Sequence, residues 1–273
     1  MKKILSILSL IAVVLTMNSC KENIDFDYHH MEPVYVVEGN VSNHGAEAVV
    51  SMTQDMEDTT EYIPVSNATV FVKGNDGSST TLTSLGNGKY ASTDGFKAVK
   101  GVTYTMTAKV GDNTYTSYST MQDSVAIDSL NFKWEKVMNE RVLCLRLAYQ
   151  DIKDDTTYYL VKMYRNDKIY KWAVSNDAGY RDSLIDRSLT CIGEKQLKDR
   201  DEDSFDKLID EGDRIRLELM VIDRRTFDYL MSVSLGKSSR TNPFLNFTGG
   251  CLGYFSAWGI ASKEIIYKYD EVK

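Results

Sequence analysis

Clustered cations, histidine, proline and long apolar runs are scarce in this 273-residue chain, and each scarcity removes a class of function. The formal charge is −7 with Lys and Arg dispersed, so no cationic stripe exists to neutralise a phosphate backbone. Nucleic acid is excluded as a partner, and adhesion to anionic lipid through a basic patch is disfavoured for the same reason. The only histidines are His29, His30 and His44, and none belongs to an HExxH pattern. Neighbours on an extended chain point opposite ways, so no metal site is expected at His29–His30. Gly74–Ser79, GNDGSS, lacks the acidic spacing and terminal Glu of a calcium loop. No Gly-x-Ser-x-Gly elbow occurs, which removes one local signature of hydrolases. No catalytic residue, cofactor or metal is expected. With three prolines and abundant Val, Thr and Tyr, the composition suits a β-rich fold rather than disorder.

What is present begins at the N-terminus. Lys2 and Lys3 precede the apolar stretch Ile4–Leu15, which is too short to persist as a membrane-crossing helix. The stretch ends in Met17-Asn18-Ser19-Cys20, which resembles a bacterial lipobox although Met17 departs from the usual Leu. Residues 1–19 then read as a signal peptide and Cys20 as the lipidated N-terminus, a membrane anchor made by acyl chains such as palmitate. Cleavage would remove Lys2 and Lys3 and take the side-chain charge from −7 to −9. Residues 20–31 form a tether, and its segment Lys21–Asp27, KENIDFD, is similar to acidic signals that send lipoproteins to the outer face of the outer membrane. A plain solvated linker explains the same residues, so the membrane face stays open.

Three cysteines remain: Cys144, Cys191 and Cys251. An odd number allows at most one internal disulfide. Cys144 lies in the strand-like VLCLRLAY and reads as a buried thiol. Cys191 and Cys251 both lie in loop-like sequence and form the pair expected if any bridge exists.

Residues 32–122 are a succession of short strands, among them VYVVEGNV, ATVFVKG, TTLTSL, TYTMTAKV and NTYTSYST. The turns between them carry Asn75-Asp76-Gly77, Asn87-Gly88 and Asp112-Asn113, residues that accept positive φ at little cost. This spacing predicts an Ig-like or prealbumin-like antiparallel sandwich. The order Ala68-Thr69-Val70, Gly88-Lys89-Tyr90, Gly101-Val102-Thr103-Tyr104 is similar to carboxypeptidase-regulatory-like modules, in which such tyrosines pack inward. Tyr90 and Tyr104 are therefore read as core. Residues 123–273 read as a second β-rich module with one α-helix. Leu143, Leu145 and Leu147 share one strand face, and Asn166-Asp167 marks a tight turn. The polar stretch Asn176–Gly212 reads as solvated loop. Asp223–Leu235 carries the helical stripe Phe227, Leu230, Met231, Ser234, with Gly236 placed to end it.

Near the C-terminus, NPFLNFTGGCLGYFSAWG spans Asn242–Gly259. A phosphate-cradling loop needs glycines between a strand and a helix N-terminus, whereas here the helix comes first. Gly249 and Gly250 are thus read as structural, allowing positive φ or close backbone approach. Among the aromatics, Trp172 and Trp258 are the speculative platforms for a sugar; aromatics in strands are more often half-buried sheet residues. Asp-Ser/Thr followed by an apolar residue or Thr, at Asp58, Asp123, Asp128, Asp155 and Asp182, resembles a bacterial O-glycosylation sequon, and chance explains any single instance in a chain of this composition.

With these residues placed, the chain resembles the domain-of-unknown-function 4249 family of Gram-negative outer-membrane lipoproteins. The resemblance rests on Val37-Glu38-Gly39, Ala68-x-Val70, Gly88-Lys89-Tyr90, Phe227-Asp228-Tyr229-Leu230 and, most specifically, the Asn242–Phe255 terminus. Phe227 replaces a frequent tyrosine, and Cys251 stands where an ordinary residue is usual, so neither takes a family role. The resemblance implies a lipoprotein of the outer membrane, periplasmic or at the cell surface, and the missing catalytic signatures make a non-enzymatic one the expectation. The resemblance also implies a TonB-dependent outer-membrane receptor as partner, with substrate binding or gating as the task. Two rival expectations are an independent glycan-binding surface lipoprotein and a carboxylate-based hydrolase, the latter distinguished by two acids converging in a cleft.

Overall fold

The computed structural model describes residues 32–54, 62–152, 156–178, 183–199, 208–239 and 243–272. Cys20, the tether and His29–His30 lie outside these residues, as do Asp58, Asp155 and Asp182. Among the described residues the chain is mainly β, with several antiparallel sheets and two α-helices. Strands β1 (Tyr35–Ser42), β2 (Gly45–Met52), β3 (Ile63–Pro64), β4 (Thr69–Gly74), β5 (Ser79–Gly86), β6 (Lys89–Ala91), β7 (Thr103–Val110) and β8 (Asn113–Thr120) follow one another as hairpins and short connections. Asn87 and Gly88 both adopt positive φ (50° and 70°), the geometry expected of an Asn-Gly hairpin turn.

The sheet order is β15-β1-β2-β6-β5-β4-β7-β8, in which β15 (Leu252–Trp258) arrives from the far end of the chain and runs parallel to β1. Its far edge meets β8 where Ser119 Oγ accepts from the Ala257 amide at 2.9 Å, and just before β15 the backbone of Thr248 bridges Thr116. The sheet thereby curls toward closure. Tyr90 and Tyr104 are 2% and 0% exposed, inside this first core as expected from sequence. Each spends its hydroxyl on the backbone, Tyr90 donating to Val65 O at 2.8 Å and Tyr104 accepting from the Val99 amide at 2.8 Å.

The next sheet has the order β13-β10-β9, from β9 (Ile127–Val137), β10 (Glu140–Gln150) and β13 (Leu184–Gly193). Opposite lies β12-β11-β14-β16, from β11 (Tyr158–Arg165), β12 (Lys168–Asn176), β14 (Arg214–Ile222) and β16 (Ile260–Ile266). Leu143, Leu145 and Leu147 of β10 are 0% exposed, and with Met163, Leu217 and Leu219 they form a second core. Asn166 and Asp167, at φ 48° and 68°, make the tight β11–β12 turn. Lysines staple both seams between these sheets. Lys171 Nζ donates to the carbonyls of Thr190 (2.8 Å) and Cys191 (2.9 Å), and Lys263 Nζ donates to Asp128 O at 2.8 Å. Each donates to carbonyls of an edge strand, β13 or β9.

Three expectations are corrected. The stretch 176–212 is not all loop, because it contains β13 and the short helix α1 (Glu194–Lys198). Ile185, Arg187, Leu189 and Cys191 of β13 alternate inward, a period hidden by interleaved Asp, Ser and Thr. The main helix α2 spans Arg224–Ser239 and passes through Gly236, which keeps negative φ and so cannot act as a left-handed cap. Cys191 and Cys251 are not bridged: both are free and buried, one in the second core and the other in the first.

Candidate functional site

The outer face of β1, β2 and β15 packs against the outer face of the β12-β11-β14-β16 sheet. At one end the contact is apolar, where Leu160, Met220, Ile222, Tyr229, Leu230, Tyr254 and Trp258 form a third core with α2. At the other end it opens into a cleft of about 490 Å³.

Strand register explains the change of character. Leu160 of β11 and Ile260 of β16 both pair with Met220 of β14, forming an apolar row. The next row on the same face reads Trp172–Lys162–Glu218–Ser262, and the one beyond reads Tyr164–Arg216–Glu264. Directly paired residues project to one side, so each row is a line of neighbouring side chains. The opposite wall pairs Asn40 with Glu47 and Ser256, and Ser42 with Trp258. Asn40, Ser42, His44, Glu47 and Trp258 thus face Lys162, Tyr164, Arg216 and Glu218.

The electrostatics are mixed rather than polar in one sense. Arg216 forms an ion pair with Glu218 and lies over the Tyr164 ring, 4.0 Å from its centroid. Lys162 sits 5.5 Å from the Trp258 centroid, and burial lowers its ammonium below the ordinary lysine value while Glu218, Glu38 and Glu47 oppose that shift. Glu38 is exposed to solvent, although the protein packed around it partly desolvates its carboxyl. That desolvation raises its carboxyl above the ordinary value, with Lys162 pulling the other way. Tyr164 is pushed up to about 12 by burial first and by Glu218 second.

Trp258, read from sequence as a sugar platform, is instead 1% exposed and forms the cleft's floor. Its indole Nε1 has no hydrogen-bond partner among the described residues. Trp172, the other candidate, is 39% exposed and ends the Lys162 row at the sheet edge. The cleft serine beside His44 is not poised as a nucleophile. Ser42 Oγ donates to Gly45 O at 3.3 Å and accepts from the His44 backbone amide at 3.1 Å, closing the β1–β2 turn. Burial pushes the Cys191 and Cys251 thiols up to about 12, so neither is a thiolate at neutral pH. Among the described residues no cluster of His, Cys, Asp and Glu gathers as a metal site, and no helix is long and apolar enough to cross a membrane.

Sequence reasoning missed Glu38, Glu47, Lys162, Tyr164, Arg216 and Glu218. Each occupies the polar phase of an alternating strand, which in isolation reads as solvent face.

The glycine-rich terminus serves construction. Gly249, Gly250 and Gly253 adopt φ of 91°, 88° and 108°. A Cβ on Gly249 would lie 2.5 Å from Thr114 O, and one on Gly253 would collide with Val37 O. Asn246 accepts from Ser117 Oγ (2.6 Å) and from the Phe255 amide (3.0 Å) through its Oδ1, sewing the segment onto β8.

The family profile described as Domain of unknown function (DUF4249) matches residues 21–264. The chain belongs to that family. A comparison with curated proteins found no match.

Proposed function

We propose that this chain is a non-enzymatic outer-membrane lipoprotein, anchored through Cys20, that works as the accessory or substrate-binding partner of a TonB-dependent outer-membrane transporter. The observation that carries the binding role is the cleft. It is open, lined by mixed donors and acceptors, and built jointly by both β bodies, while Ser42 Oγ is engaged in the β1–β2 turn and Cys144, Cys191 and Cys251 are buried away from it. The lipobox at Ser19-Cys20 supports the anchor, and the family resemblance supports the transporter. The test is a mild crosslink of the native lipoprotein followed by mass spectrometry of its partners. A stoichiometric outer-membrane barrel is the expected result; recovery without any barrel overturns the partnership.

One observation favours a second reading, a carboxylate-based hydrolase: Glu47 and Glu218 line opposite walls of one cleft, and the nearby Glu38 carboxyl is raised. Against it, Glu218 is neutralised by Arg216, so it is not a free base. Turnover of chromogenic glycosides that Glu47→Gln abolishes would establish this reading and overturn the non-enzymatic one.

A further inference from the structure

We infer that the cleft takes a neutral polyhydroxylated ligand, a saccharide of one or two rings, seated on Trp258 and Lys162. This inference rests on the binding role proposed above and names the ligand class. Two converging donors carry it. Trp258 Nε1 is buried on a residue 1% exposed and lacks any partner among the described residues. A buried donor left unmade costs about 1–3 kcal/mol, so such a group on a cleft floor marks a place for an acceptor. Lys162 lies over the same ring at 5.5 Å, and its ammonium has neither an ion pair nor a hydrogen bond among the described residues. The two groups together ask for ligand oxygens.

The facing carboxylate of Glu47, with Glu38 nearby, asks for ligand donors. Hydroxyl groups meet both demands, since each donates once and accepts twice. Ionic ligands fit less well. Lys162 stands in the field of Glu218, Glu38 and Glu47 at once, so the protein's own charges already compensate one another. An anion or a zwitterion would find both signs at every position rather than two separated poles. The volume of about 490 Å³ lies within the range of small-ligand sites.

The chain's three tryptophans make the test site-specific. Indole ¹⁵N–¹H spectra of the full lipoprotein in a sugar-free detergent report Trp134, Trp172 and Trp258 separately. The probes are glucose, maltose and N-acetylglucosamine, with glycine and acetate as ionic comparators. We expect a saturable shift of the Trp258 signal with at least one sugar and none with the comparators. Lys162→Met and, independently, Glu47→Gln should weaken that sugar at least tenfold while the Trp134 signal stays in place as a check of folding. A saturable response to glycine or acetate alone overturns the ligand class, and silence toward every probe overturns the site. The barrel crosslink on the same preparation reports separately: a partner retained by a protein blind to all probes would sink this inference and leave the partnership standing.

Discussion

Gly250 and Gly253 stand in one motif and share positive φ, yet alanine at the two positions should behave very differently. At Gly250 a Cβ meets nothing within 4 Å, so Gly250→Ala costs only the backbone preference, about 1 kcal/mol. At Gly253 the same preference is joined by collision with Val37 O, and β15 must move away from β1. Gly253→Ala should therefore cost more than about 4 kcal/mol, in the class of severe substitutions. Urea unfolding of both variants checks this, and equal losses would show that the β1–β15 approach does not set the cost. Glu38 gives a residue-scale test of the cleft's electrostatics. Its folded carboxyl titrates above its ordinary value of 4.5, so the folded state holds the proton longer than the unfolded state does. Its charge thus penalises folding at neutral pH, and the penalty fades as pH falls through the raised folded value toward 4.5 and is gone below it. Glu38→Gln should raise stability at pH 7 by roughly 0.5 kcal/mol, about 1–2 °C in Tm, a modest figure because solvent at the mouth screens the charge. The gain should vanish near pH 4, and a gain independent of pH would contradict the assignment.

At the scale of elements, α2 shows where local signals suffice and where they fail. Only part of its packing stripe was legible, since Phe227 and Leu230 face the core while the buried Tyr229 was not in the expected stripe and Ser234 is exposed. Its start was legible, because Asp223 caps it: Oδ1 accepts from the Thr226 amide at 2.9 Å. Its end was not, since a glycine stops a helix only when the chain turns left-handed there, and Gly236 does not. The cap also reaches beyond the helix. Asp223 Oδ2 accepts from Ser119 Oγ at 2.5 Å and Ser256 Oγ at 3.3 Å, joining α2 to β8 and β15. Asp223→Ala should cost about 2–3 kcal/mol, more than a solvent-exposed cap alone, because the two strand hydroxyls lose their shared acceptor. Thermal and urea unfolding measure it, and a loss below about 1 kcal/mol would reduce Asp223 to an ordinary cap. Strand β13 failed to show in the sequence for a different reason: its inward residues are separated by Asp, Ser and Thr, and Arg187 among them turns inward to donate to Asn176 O at 2.7 Å.

For the whole molecule, the β-rich class, the hairpin turns and the inward tyrosines of the first sheet were legible because each depends on neighbours in sequence. The cleft was not. Arg-Ile-Arg-Leu-Glu-Leu-Met alternates as any half-solvated strand does, and only the docking of one β body on another turns Arg216 and Glu218 from surface charges into walls. Likewise nothing local announces that Leu252–Trp258 returns to pair with Val36–Ser42. That return has a mechanical consequence. β1 is flanked on both sides, by β15 in parallel and by β2 antiparallel, over nearly its whole length. A chain held at Cys20 and tugged by a moving partner would receive the force along the β1 axis. Hydrogen bonds on both flanks would then be loaded together in shear rather than unzipped one by one. The strand next to the proposed anchor is in that sense a clamped tendon, able to bear tension while the cleft above it keeps its shape.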